Sequence, residues 1–378
     1  MADTLTLRQC FAEVQDPRRE HQRFHSLWDI IALTICAVIA NADNWVEVEH
    51  YGRRKYEVLR QFLELPNGIP SHDTFGRVFS LIEPVAFQRC FGQWVEAIVA
   101  GSRGRLINID GKTLCGSADK ANGRGALHLV SAWVQANHLV LGQLAVADKS
   151  NEITAIPELV SLLNIKKAII TIDAMGCQKE IASTIIAGGG DYLLALKDNH
   201  PTLANDVTDL FCAGLENDFA ELEHRSCQTE DDDHGRRETR HYHVVKAPED
   251  LLQKHPHWEG LRTLVMVFSE RQVGEAEPSA ETRFYLSSLP LQVKKIAAAV
   301  RGHWGIENNL HWQMDVCFRE DESRVRKDHA PANLALLRRL AASLLKQEEI
   351  AHGGTTCKRK QAGWDDDYLF TVLAGQLI

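Results

Sequence analysis

The amino-acid sequence predicts an α/β protein built on a mixed β-sheet, with a helical region before the sheet and a mainly β insertion within it. Three observations predict this fold class. Residues 1–100 carry apolar residues at helical spacing, residues 101–200 start with three strand-like runs and then alternate helix with strand, and residues 201–292 return to strand-like runs. Consecutive strands followed by alternating helices and strands are typical of a mixed sheet.

The first hundred residues are predicted to be helical. The segment 26–42 is densely apolar without a helix breaker, and the segment 44–65 alternates apolar and charged residues at helical spacing. A PNGIP turn follows, Ser71 is placed to cap the next helix, and a further helix is predicted for 84–100. Short helices joined by a tight turn are typical of a helix-turn-helix, and a small helical bundle without DNA contacts fits as well.

The sheet-forming elements are predicted in the order β-β-β-α-β-α-β. The strands are 105–114, 127–135, 139–147, 166–175 and 191–199, and the helices between them are 152–165 and 177–190. Further strands are predicted at 239–245, 261–272 and 282–289, and helices at 293–316 and 331–347. The chain is thus divided into a helical region, the first part of the core, the insertion, the core helices and a charged tail: 1–100, 101–200, 201–292, 293–345 and 346–378.

Composition narrows the class of protein. Of the 378 residues, 44% are hydrophobic and 25% are charged, which are globular values. The longest apolar run, 30–40, is too short to cross a membrane, and nine scattered cysteines without a CxxC pair predict reduced thiols in a cytoplasmic protein. The net charge is -9, and the segment 201–292, with 9 basic and 18 acidic residues, matches that whole deficit. The remaining charge permits a DNA partner without indicating one.

Two aspartates follow apolar, β-branched runs at the ends of predicted strands. Asp110 follows INI and Asp173 follows IITI. Carboxylates close together repel unless a cation or a proton lies between them, and Mg²⁺ and Mn²⁺ prefer such oxygen ligands. Asp is also common where a strand enters a turn, so each residue alone has this second interpretation.

A third acid lies in the predicted helix 293–316. His303, Glu307, His311 and Asp315 are spaced by four and are predicted to share one helical face. Three interpretations stay open: a solvated face, a carboxylate–imidazole metal site, or Glu307 joining the two aspartates. The basic run RVRK (324–327) fits a phosphate contact or a solvated turn. Cys115 and Cys177, which follow the aspartates, are interpreted as buried thiols.

Four segments together resemble the DDE transposases, in particular the H-repeat-associated transposases of Rhs elements and related insertion-sequence transposases. The resemblance extends to about residue 345. It is carried by INIDGKT (107–113), IITIDAMGCQ (169–178), YLLALKDNHP (192–201) and RGHWGIENNLHWQMDVCFREDESRVRKDHAP (301–331).

The resemblance implies a ribonuclease H-like core in which Asp110, Asp173 and Glu307 form a catalytic triad. It implies that these carboxylates hold two Mg²⁺ or Mn²⁺ ions for hydrolysis and strand transfer of DNA phosphodiesters at the ends of an insertion element. The expected partners are double-stranded DNA, as terminal inverted repeats and as target, and a second copy in a homodimer. The expected location is the cytoplasm, at the nucleoid when DNA is bound.

Candidate DNA contacts come from the same segments. They are Lys112, Lys197, Arg301, His303, Asn308, His311, Arg324, Arg326 and Lys327. Related transposases often carry Tyr, Arg and Lys near the glutamate, where this chain has Val300, His303 and Met314. Arg301 is the expected substitute. An alternative function is that of a catalytically inactive descendant that only binds DNA.

Overall fold

The computed structural model describes residues 5–99, 105–119, 122–146, 151–233, 235–374 and 376–377. The predicted ends at Ala100 and Ala147 lie outside these residues. Two compact units are present. The first comprises Met1–Ser102, Gly111–Asn151 and Ile306–Ile378, and the second comprises Arg103–Asp110 and Glu152–Gly305. The chain changes unit four times, after Ser102, Asp110, Asn151 and Gly305.

Helices form the first and last parts of the described chain, and strands and helices are interspersed between them. The helices are α1 (Leu7–Phe11), α2 (Leu27–Ile39), α3 (Trp45–Arg54), α4 (Tyr56–Leu59), α5 (His72–Leu81), α6 (Pro84–Val99), α7 (Glu152–Ser161), α8 (Lys179–Ala187), α9 (Pro201–Glu216), α10 (Glu249–Lys254), α11 (Val293–Gly305), α12 (Trp312–Phe318), α13 (Ala330–Gln347), α14 (Thr355–Trp364) and α15 (Asp366–Leu373). The strands are β1 (Leu106–Leu114), β2 (Leu127–Val134), β3 (Leu139–Ala145), β4 (Ile169–Ile172), β5 (Asp191–Leu196), β6 (His224–Asp233), β7 (Arg236–Lys246), β8 (Thr263–Val273) and β9 (Ser279–Ser287).

The first unit is built around α13. Every residue from Ala330 to Leu345 is buried, and α13 packs against α2, α5 and β3. A helix that is covered on all sides lies in the core, as this one does. The predicted cap is confirmed, because the Ser71 side chain accepts a hydrogen bond from the backbone N–H of Thr74 at the start of α5. β2 and β3 form an antiparallel hairpin in this unit.

The predicted helix 44–65 is wrong as one element. It is divided into α3 and α4 at Lys55, whose backbone leaves the helical region with φ −104° and ψ 17°. The Lys55 ammonium lies 2.7 Å from an Asp366 carboxylate oxygen at the start of α15. This long-range ion pair accompanies a break that local helical spacing does not reveal.

The second unit contains a mixed sheet, which confirms that the protein is of the α/β class with a mixed β-sheet. Its strand order is β1-β4-β5-β9-β8-β7-β6. β1, β4 and β5 run parallel, and the other neighbours are antiparallel. The strands of the predicted insertion therefore continue the core sheet. α11 packs against β4, β5, β6 and β7.

The sequence prediction missed α9 and the edge strand β6. The acidic run that starts at Glu230 is the end of β6, paired with β7. Asp231 lies 2.7 Å from Arg240 and 2.8 Å from Arg301. Charged residues are suited to an edge strand because they discourage pairing with other chains. Their charge hid the strand from a reading based on apolar alternation.

The predicted helix 293–316 is also wrong as one element. α11 ends at Gly305, a π-helical turn spans Ile306–His311, and α12 follows. In a π-helix the hydrogen bonds span five residues instead of four, so a four-residue spacing no longer returns to one face. Glu307 is accordingly exposed while His311 is buried. Within the described ranges, none of the helices is both long and apolar enough to cross a membrane.

Candidate active site

Asp110 and Asp173 occupy equivalent places on two adjacent strands of the second unit. β1 and β4 pair in parallel with Ile109 opposite Ile172, and each aspartate is the next residue. Adjacent strands lie about 4.8 Å apart, so the two backbones are neighbours at these positions. Both residues are half-buried. Two carboxylates thus meet at one level of the sheet.

A tight turn holds Asp173. Its Oδ1 accepts a hydrogen bond of 3.2 Å from the backbone N–H of Gly176. A Cβ atom at Gly176 would lie 2.2 Å from Cγ2 of Ile172, so this close packing admits only glycine. The turn interpretation of Asp173 is therefore correct, and it leaves the carboxylate at the end of β4. The turn and a role in chemistry are compatible.

A polar network lies two residues before the aspartates. Asn108 and Thr171 are opposite each other on β1 and β4, and the Asn108 side-chain amide donates a hydrogen bond of 2.7 Å to the Thr171 hydroxyl. That hydroxyl is 3.0 Å from Nδ1 of His303 on α11. Residues two apart in a strand share a face, so Asn108 and Asp110 lie on the face of the sheet that α11 covers.

The burial of His303 favours its neutral form. Desolvation lowers the pKa of this half-buried imidazole, although Asp173 opposes the change. A neutral ring accepts the Thr171 proton at Nδ1 and keeps its own proton on Nε2. The sequence analysis missed Asn108 and Thr171. The sequence does contain a signal for these two residues, because each is a polar residue inside an otherwise apolar strand run.

Glu307 belongs to the first unit. It is the second residue of the π-helical turn, it is exposed, and it follows the last residue of α11 by two positions. Turns of this kind inside helices are frequent at functional sites. His311 ends the same turn and is buried. Desolvation lowers the pKa of its imidazole to about 3, and the nearby positive charges of Arg339 and Lys112 add to this effect. A neutral His311 offers no positive charge to a phosphate.

Lys112 is buried in an ion-pair cluster of the first unit. Its Nζ lies 2.7 and 2.8 Å from the two carboxylate oxygens of Asp315 and 3.3 Å from Asp321. Burial opposes the charge on Lys112, but the acids outweigh it and raise the pKa. The pKa of Asp315 is raised as well, because burial and its acidic neighbours outweigh Lys112. One cation thus joins β1 to α12 by balancing two acids.

Replacing Lys112 by Met is expected to lower the free energy of unfolding by about 1–3 kcal/mol, because it leaves Asp315 without its hydrogen-bond donor. The loss is expected to shrink as the pH falls toward the range where Asp315 is protonated, since the uncompensated charge then disappears. Urea unfolding at several pH values measures both effects. The exposed Lys295, replaced by Met, is the control. Unchanged stability with weaker DNA binding would instead make Lys112 a DNA contact.

The other predicted contacts occupy varied positions. Lys197, Asn308, Arg324 and Lys327 are exposed, and Arg301 pairs with Asp231. Arg326 donates a hydrogen bond of 3.0 Å to the Gly116 carbonyl. Their contact with DNA stays a prediction.

Carboxylate pairs of this kind fit a divalent cation, since hard cations prefer oxygen ligands. Across the part of the chain that the structure describes, no three His, Cys, Asp or Glu residues form a ready metal-binding group. The fit therefore rests on the chemistry of the Asp110 and Asp173 carboxylates.

Cys177 is buried as predicted, and burial raises the pKa of its thiol. The prediction for Cys115 is wrong, because this thiol is exposed just after β1 ends at the surface.

A mixed sheet with aspartates at neighbouring positions of two adjacent parallel strands agrees with the comparison to known families. The family model for the transposase DDE domain matches residues 101–345, and a model for a DDE-associated domain matches residues 8–95. The chain belongs to the DDE-domain transposase family.

Individual relatives carry matching names. The chain is 40% identical over 365 residues to the "H repeat-associated putative transposase YhhI" of Escherichia coli K12, covering 96% of each chain. It is 42% identical over 364 residues to the "Putative transposase YncI" of Escherichia coli O157:H7, covering 96% of this chain and 92% of the relative. A short relative from strain K12, 45% identical over 65 residues (17% of this chain and 77% of the relative), is named "Inactive transposase YbfQ".

Proposed function

We propose that this protein is a DNA transposase with a ribonuclease H-like core, which hydrolyses and transfers DNA phosphodiester strands at the ends of an insertion element. The observation that carries the proposal is the placement of Asp110 and Asp173 directly after the paired residues Ile109 and Ile172 of β1 and β4. Such a pair brings two oxygen ligands to one place without help from a flexible loop.

Glu307 is proposed as the third acid. Two observations support this assignment. The chain enters the π-helical turn directly from α11, whose His303 contacts Thr171 beside the Asp173 strand. The turn also presents Glu307 at the surface.

The three carboxylates are proposed to hold two Mg²⁺ or Mn²⁺ ions. When bound, such ions activate the attacking oxygen and stabilise the leaving oxygen of an in-line displacement at phosphorus. The protein's own part is to position the ligands. The glycine turn orients Asp173, while Asn108 and Thr171 hold His303 in one neutral tautomer next to the acids. A neutral His303 adds no charge that would compete with a cation for the carboxylates.

The proposed partners are duplex DNA, both as terminal inverted repeats and as target, and a second copy of the chain, because two ends must be joined. The site of action is then the nucleoid in the cytoplasm. Asp110 and Asp173 lie side by side after Ile109 and Ile172, although Asp110 is within β1, which continues to Leu114, and not at the strand end as predicted. This observation favours an active enzyme over a descendant that only binds DNA.

A cleavage assay tests the proposal. The substrate is duplex DNA that carries the terminal inverted repeats flanking the gene, incubated with Mg²⁺, with Mn²⁺ or with EDTA. We expect metal-dependent nicking at the repeat ends by the wild-type protein and none by the Glu307→Gln variant. DNA binding without nicking by the wild type would contradict the catalytic proposal and leave the DNA-binding descendant.

A further inference from the structure

A cleft of about 750 Å³ opens within the first unit. It is lined by the start of α3, by one side of α5 and by the segment 319–327, which includes the RVRK run. The N-terminal helices and a segment of the DDE domain therefore share one concave surface. Arg77 of α5 and Arg324, Arg326 and Lys327 of the segment all line it.

The acidic residues of the cleft are already engaged. Asp43 lies 3.1 Å from the buried Arg359 guanidinium. Glu47 accepts a hydrogen bond of 2.7 Å from the backbone N–H of Asp43, and Glu322 pairs with Arg319. Asp73 is 3.6 Å from a ring nitrogen of His72. Asp43 and Glu322 are thus each paired with an arginine, whereas Glu47 and Asp73 have no lysine or arginine partner among the described residues.

Three basic residues of the cleft have no carboxylate partner among the described residues. In the described ranges, Arg77, Arg324 and Lys327 make no ion pair with a carboxylate. Arg324 and Lys327 are exposed, while Arg326 between them is held by the Gly116 carbonyl. The lining carries five Lys and Arg residues against four Asp and Glu residues, and its unpaired cations come from two separate parts of the sequence.

The segment that carries these cations is firmly anchored. A Cβ atom at Gly116 would lie 2.4 Å from the carbonyl oxygen of Ser323, so the segment packs directly on the end of β1. Glu320, within this segment, is fully buried against Arg339 of α13 at 2.7 Å. A segment whose backbone is held in place loses less conformational entropy when it binds a ligand.

We propose that this cleft binds the sugar–phosphate backbone of duplex DNA through Arg77, Arg324 and Lys327. The inference rests on the proposed function, because it names where that function's DNA is held. Guanidinium groups suit phosphate oxygens in geometry and in charge, and such contacts position a protein on DNA without reading its sequence. Arg77 lies on the exposed side of α5, the helix that follows the PNGIP turn. This placement is in keeping with a helix-turn-helix.

The salt dependence of DNA binding tests the assignment. Fluorescence anisotropy with a labelled duplex from one end of the element measures the dissociation constant at a series of KCl concentrations. For the triple variant Arg77→Ala, Arg324→Ala and Lys327→Ala we expect weaker binding. The slope of log affinity against log salt should shrink by about 0.9 for each lost phosphate contact, and so by about 3 in total.

A matched control removes two arginines and one lysine elsewhere. Arg225, Arg262 and Lys166 are exposed residues of the second unit, and their replacement by Ala changes the net charge equally. We expect this control to keep the wild-type slope. The single variant Arg324→Ala, in an exposed position, is expected to lose about 0.9 of slope and serves if the triple variant does not fold.

The outcomes separate the two proposals. Equal slopes for the triple variant and its control, with DNA binding intact, would overturn the assignment of the cleft and leave the proposed function standing. No DNA binding by the wild-type protein would overturn the proposed function, and the cleft assignment with it.

Discussion

Replacing Asp173 by Asn is expected to lower the rate of metal-dependent DNA nicking by about 1000-fold. A divalent ion at such a site contributes several kcal/mol of transition-state stabilisation, and about 1.4 kcal/mol corresponds to each factor of ten in rate. The Asn side chain keeps an oxygen that can accept the hydrogen bond from Gly176, so the turn is retained. The variant removes the negative charge and little else. Single-turnover cleavage with excess protein measures the rate.

Asp198 provides a matched control. It is an exposed aspartate that lies two residues beyond the end of β5, the strand next to β4. Asp198→Asn makes the same chemical change near a neighbouring strand end, and wild-type nicking is expected. Full activity in Asp173→Asn would remove this residue from the reaction, whereas equal losses in both variants would indicate a general effect of charge.

Replacing Arg339 by Met is expected to lower the free energy of unfolding by about 3–5 kcal/mol, since it leaves Glu320 as an uncompensated buried charge. Both side chains of this ion pair have no exposed surface. The pair links α13, the central helix of the first unit, to the segment after α12. Urea denaturation followed by tryptophan fluorescence measures the loss.

Two further variants isolate the cause of that loss. The Arg319–Glu322 pair lies in the same segment but is well exposed, so Arg319→Met is expected to leave stability almost unchanged. The double variant Arg339→Met and Glu320→Leu removes both buried charges, and it is expected to regain most of the lost stability. If the double variant is as unstable as the single one, lost packing rather than the stranded carboxylate is the cause.

Local sequence patterns predicted much of this fold. Helical spacing located α2, α5 and α6, and short β-branched runs located β1 and β4. These patterns suffice because burial of one face requires a fixed period along the chain. Asp110 and Asp173 were found for the same reason, since each directly follows an apolar strand run.

Other elements depend on partners that are distant in sequence. β6 is a charged edge strand whose residues show no apolar alternation. It forms by pairing with β7, so its position cannot be predicted from its own residues. The break between α3 and α4 coincides with the contact of Lys55 with Asp366, more than three hundred residues away. Neither feature follows from the spacing of nearby residues.

The sequence by itself determined the two aspartates that follow apolar runs, the helical N-terminal region and the resemblance to DDE transposases. Only the tertiary structure decided which charged groups lie beside the basic residues. Lys112, two residues after Asp110 on β1, lies beside Asp315 and Asp321, whereas Arg77, Arg324 and Lys327 line one cleft. The reason is physical: apolar periodicity is a local property, but the state of a charge depends on which opposite charges the folded chain brings beside it.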